Sequence, residues 1–134
     1  MTTVRTHALR AALGAAFTAL SLAAASPAFA HANHGEPMYG GVVAEAGMFQ
    51  GELVARANQL TVYITNHGEP VPTAGAQAKA TVLAAGQKTE LALAPAGDNR
   101  LTATAAAPLP AGARAVVAVK LGDGRAGSLR FELK

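Results

Sequence analysis

An all-β, antiparallel fold of seven to eight short strands follows from three features of the sequence. Apolar and polar residues alternate with period two in several short runs. Turn-forming Gly, Pro, Asn and Asp recur between those runs at fairly even spacing. No helical stripe appears after residue 30, where Thr alternation and frequent Gly and Pro outweigh the helix propensity of the many Ala residues.

The runs follow in order. Val42-Val43-Ala44 is a short extended run after Gly40-Gly41, and Leu53-Val54-Ala55-Arg56 comes next, closed by a turn at Ala57-Asn58-Gln59. Leu60, Val62 and Ile64 alternate with Thr61, Tyr63 and Thr65, the clearest half-buried strand. Ala78, Ala80 and Val82 form another, and Thr89–Leu93 returns after a turn at Gly86-Gln87. Leu101, Ala103 and Ala105 follow Pro95, Gly97, Asp98 and Asn99; Ala115, Val117, Val119 and Leu121 follow the Pro108–Gly112 loop. Gly122-Asp123-Gly124 is a hairpin signal leading to Leu129, Phe131 and Leu133. Strands of this length and spacing predict an immunoglobulin-like β-sandwich, with a small closed barrel as the alternative. A sandwich presents its loops at two ends, so function is expected in loops.

The first thirty residues read as an address rather than as fold. Arg5 and Arg10 precede an uncharged, Ala-rich run from Ala11 to Ala25, and Ala28-Phe29-Ala30 is a small-x-small cleavage signal. A membrane anchor would need roughly 20 strongly apolar residues, more than this run supplies. The expected organisation is therefore a cleaved signal peptide at 1–30, a flexible His-containing tail at 31–39 and a β-sandwich domain at 40–134. This predicts a periplasmic protein with no membrane insertion after cleavage. No Arg-Arg pair is present, which favours the general secretory route.

Composition excludes several classes of function. The 134 residues contain no Cys, so disulfides, thiolate zinc sites and Cys nucleophiles are ruled out. After residue 30, nine Lys and Arg face eight Asp and Glu, a net charge of +1 that offers nucleic acid no basic stripe. A domain this small buries only about 60–65% of its extended surface and has little room for a substrate cavity. Ser128 is the only Ser after residue 30 and stands far in sequence from any His, and no Gly-rich phosphate loop opens a helix. The chain is not expected to be an enzyme.

Histidine carries the remaining chemistry. Cleavage after Ala30 would make His31 the first residue, so that its amine and imidazole could chelate Cu(II). His34 lies three residues on, and the pentapeptide Asn33-His34-Gly35-Glu36-Pro37 recurs identically as Asn66-His67-Gly68-Glu69-Pro70, 33 residues later. Two turns that each hold a His and a Glu can supply a transition-metal site if they converge. The candidate ligands are His31, His34 and His67, with Glu36 and Glu69 as ligands or as groups that orient the imidazoles. Copper or zinc fits such donors, and the thioethers of Met38 and Met48 suit Cu(I). The competing readings are plain: a His in an Asn-His-Gly turn is commonly solvated, and Met38 can simply pack the core edge.

Several segments carry a resemblance: Tyr39-Gly40-Gly41-Val42-Val43-Ala44-Glu45, Glu52-Leu53-Val54, Leu60–Ile64, His67-Gly68-Glu69-Pro70-Val71 and Ala94–Leu101. Together they resemble small exported proteins and domains associated with heavy-metal efflux systems of the resistance-nodulation-division type, including segments of their periplasmic adaptor subunits. The resemblance spans most of 34–134 and implies metal handling beside such an adaptor. Those sequences often place a His before the Gly-Gly-Val-Val run, where this chain has Tyr39. The general plan is also similar to small periplasmic copper-binding sandwiches. A module that docks on an envelope protein through a sheet edge or loops, without metal, is the alternative function.

Overall fold

The computed structural model describes residues 35–134. These form nine strands: β1 (Val42–Glu45), β2 (Gln50–Arg56), β3 (Gln59–Asn66), β4 (Glu69–Pro70), β5 (Gln77–Ala84), β6 (Gln87–Pro95), β7 (Arg100–Thr104), β8 (Arg114–Lys120) and β9 (Ala126–Glu132). All pairings are antiparallel, in the order β1-β2-β3-β7-β6-β5-β8-β9, with β4 paired to β3.

The expected all-β, antiparallel class is found, but the strands do not separate cleanly into two sheets. β6 is the reason. It pairs with β5 as far as Leu93, then hands Ala94 and Pro95 to β7, so one sheet of nine strands runs through it. The sheet curls until β1 and β9 pack against each other, giving a nearly closed, barrel-like wall. The approach is close at Gly127, where an added Cβ would lie 2.7 Å from the Ala46 Cβ and 3.0 Å from the Ala46 carbonyl oxygen. Glycine allows the two ends of the sheet to meet there.

The period-two runs turn their apolar sides inward. Leu60, Val62 and Ile64 of β3, Ala80 and Val82 of β5, Ala115, Val117 and Val119 of β8, and Leu129 and Phe131 of β9 fill the interior with Phe49, Leu53 and Leu101. Each of the Val, Leu, Ile and Phe side chains contributes on the order of 1.5–3 kcal/mol by leaving water, and the methyls of Ala80 and Ala115 less. Thr73 is fully buried between strands, and its hydroxyl donates to the carbonyl oxygens of Arg100 (2.8 Å) and Asp98 (3.2 Å), satisfying the group in place. Eight strands match the expected runs. The ninth, β4, is two residues long and forms where Asn66–Glu69 closes a tight hairpin instead of opening a loop.

Candidate metal-binding recess

The second copy of the pentapeptide is a two-residue hairpin. Asn66 pairs with Glu69, and the central His67 and Gly68 both take positive φ, 50° and 83°. This is the type I′ pattern, whose backbone twist matches that of flanking strands. Gly tolerates the left-handed conformation freely, while a residue with a Cβ pays about 1–2 kcal/mol for it. The pair Ala85 and Gly86 adopts the same signs, φ 50° and 75°, between β5 and β6. The turn therefore does not itself demand His at its first central position. His67 is exposed, as are Glu69 and Pro70.

The described part of the first copy, Gly35-Glu36-Pro37, folds differently from Gly68-Glu69-Pro70 despite the identical sequence. Gly35, Glu36 and Pro37 form no strand, and Gly35 lies outside the left-handed region occupied by Gly68. Residues 35–41 cross the outer face of β2 and β3 as an arm. Glu52 holds it there. This residue pairs with Val43 and Tyr63, on the face opposite to the buried Val62 and Ile64. Its carboxylate accepts the backbone N–H of Met38 (2.7 Å), Tyr39 (2.9 and 3.1 Å) and Gly41 (2.6 Å). Charge-assisted hydrogen bonds of this kind are about twice as strong as neutral ones. They explain how an acidic side chain is only 5% exposed.

The arm carries Tyr39 onto Tyr63 and leaves a recess beside it of about 240 Å³. Gly35, Glu36 and Met38 of the arm and Gly68 of the hairpin line it together with Val43, Gln50, Gly51, Glu52 and Thr65. The two copies of the pentapeptide thus border one cavity. Its volume falls below the roughly 300–1,000 Å³ of pockets for drug-sized ligands. Among the described residues no Lys or Arg lines it, while Glu36 and Glu52 do and Glu69 follows Gly68 directly. Both oxygens of Glu52 are engaged by amides, so its part is to position the arm.

Of the five candidate ligands, Glu36 lines the recess, and His67 and Glu69 occupy the hairpin that contributes Gly68 to it. His31 and His34 lie outside the described residues. Among the described residues, no three His, Asp or Glu side chains are grouped closely enough to hold a metal ion. Met38 does not pack the core edge: it is 61% exposed at the recess, and Met48, in the β1–β2 turn, is 57% exposed. Sequence reasoning passed over Glu52. The available signal was a carboxylate on a strand between Gly51 and the apolar Leu53-Val54, a position where an unpartnered charge would be costly.

These features define an all-β domain with a nearly closed antiparallel sheet and one small acidic recess. The chain matches no protein-family model, no curated protein sequence and no solved structure.

Proposed function

We propose that the protein is an exported, periplasmic carrier of a transition-metal ion, copper or zinc, without catalytic activity. The ligands are His67, His34 and His31, assisted by Glu36 and Glu69. One observation carries the reading: Glu36 and Gly68, from two identical pentapeptides, border the same recess. His67 immediately precedes Gly68 in the chain, and His34 immediately precedes Gly35. Signal cleavage after Ala30 frees the His31 amine, which adds a nitrogen donor favoured by Cu(II). Work beside an efflux adaptor subunit of the resistance-nodulation-division type is proposed from the sequence resemblance alone. The two halves of the sheet, β1-β2-β3-β7 and β6-β5-β8-β9, support reading the fold as an immunoglobulin-like sandwich whose halves share β6.

Calorimetric titration of the chain beginning at His31 with Cu(II) and with Zn(II) tests the reading. We expect one ion per chain with Kd at or below about 1 μM, a free energy of about −8 kcal/mol. His67→Ala and His34→Ala should each weaken uptake about tenfold or more. Absence of saturable uptake, or uptake indifferent to both substitutions, overturns it.

A further inference from the structure

The opposite wall of the molecule has the opposite electrostatic character. In β8 the side chains of Ala115, Val117 and Val119 are buried, so Arg114, Val116, Ala118 and Lys120 face outward. Cross-strand pairing puts Lys79 and Ser128 on either side of Ala118, and Arg130 beside Val116. Lys88 and Glu90 of β6 share this face through their pairing with Leu83 and Thr81. With Glu132, this outer face holds five of the nine Lys and Arg residues between 35 and 134 but only two of the eight Asp and Glu. The two acids are already engaged: Glu90 meets Lys79 at 2.7 Å and Glu132 approaches Arg114 at 4.0 Å. Lys120 and Arg130 have no ion-pair partner among the described residues.

The face is also grooved. A shallow trough of about 600 Å³ crosses β5, β8 and β9 where Ala118, Ala126 and Ser128 leave the sheet surface low, with Lys79 and Lys120 along it. Small side chains on the floor let another backbone approach closely, and the flanking ammonium groups offer charge without apolar depth. Among the described residues no aromatic side chain stands on this face to stack a base, which disfavours single-stranded nucleic acid.

We propose that this trough docks an extended acidic segment of a partner protein, its carboxylates meeting Lys120 and Arg130 and its backbone lying over Ala118 and Ser128. The proposal rests on charge complementarity and trough shape and is independent of the metal reading, since the recess lies beside β2 and β3. A fluorescently labelled peptide of alternating Glu and Ala, titrated with the chain beginning at His31, provides the test. Saturable binding is expected in low salt. It should vanish near 1 M salt, where the screening length is about 3 Å, and weaken about tenfold or more in the pair Lys120→Gln and Arg130→Gln. Backbone amide shifts should centre on Ala118 and Ser128. Both substitutions are at exposed positions, and circular dichroism verifies folding. No saturable binding in low salt, or binding unchanged in the double variant, overturns the proposal. So does binding to phosphatidylglycerol vesicles without binding to the peptide, which would assign the face to a membrane. Charge-dependent self-association in sedimentation without peptide binding overturns it in favour of a second copy.

Discussion

Tyr39 lies flat on Tyr63, with ring centroids 3.8 Å apart and 5° between the planes. One ring belongs to the arm and the other to the outer face of β3. Asn99, buried at the base of this contact, donates to the carbonyl oxygen of Ile64 at 3.1 Å and to the Tyr39 hydroxyl at 3.4 Å. Stacked aromatic pairs contribute about 0.5–1.5 kcal/mol beyond the area they bury. Tyr39→Ala should therefore destabilise the fold by about 1–3 kcal/mol. Hydrogen exchange should quicken at the amides of Met38 and Gly41 while the β5–β8 amides keep their protection. Uniform loss of protection would place Tyr39 in the global fold instead of in the arm.

Glu52→Gln tests the clamp. The substitution keeps the shape of the side chain but exchanges one acceptor oxygen for an NH2 group that faces amide donors. At least one arm amide loses its partner, at a cost of about 2–4 kcal/mol. Urea denaturation should show this loss, and metal uptake should weaken because Glu36 is no longer held at the recess. Unchanged stability would show that the arm does not depend on the carboxylate.

The two roles open to His67 separate in His67→Asn. Asn is favoured at the first central position of a type I′ turn, so the variant should be as stable as the parent or slightly more so, by up to about 1 kcal/mol. Metal affinity should nevertheless fall about tenfold or more, as expected for loss of an imidazole ligand. If affinity survives, His67 is only a turn residue. Uptake by the parent should also weaken in mild acid, because imidazole binds metal only when deprotonated.

Gly127→Ala addresses the closure of the sheet. The new methyl would stand 2.7 Å from the Ala46 Cβ and 3.4 Å from the Phe49 Cζ. Overpacking of this kind typically costs about 1–3 kcal/mol. Thermal denaturation should show a lowered Tm, and the β1–β2 hairpin should exchange faster than β5 or β8. A neutral outcome would mean that β1 can swing away from β9 without cost.

The Asp123 turn sets a pH dependence. The backbone N–H of Arg125 (3.0 Å) and then its guanidinium (2.8 Å) hold the Asp123 carboxyl below its ordinary value. A carboxyl whose folded pKa is depressed adds stability above its unfolded pKa and loses that contribution as pH falls through the folded value. Asp123→Asn should thus lower Tm slightly at neutral pH, with the difference from the parent disappearing in acid. A difference that persists below the carboxylate range would point to something other than this charge.

Strand positions and most turns were legible in the sequence because both are local properties. Alternation over a few residues says which side of β3, β5, β8 and β9 faces inward, and Gly at positions such as 68 and 86 marks left-handed turns. The repeated pentapeptide and its His and Glu residues were equally visible. Tertiary structure alone decided that the two copies border one recess, that Gly35-Glu36-Pro37 and Gly68-Glu69-Pro70 take different backbones, and that the sheet runs unbroken through β6 to a near-closed wall. Each depends on groups distant in sequence: Glu52 gathers amides 11 to 14 residues away, and Gly127 admits Ala46 across the seam. Period-two patterning assigns a side chain to a face of a strand, but only long-range hydrogen bonding and close packing determine which faces and ends come together.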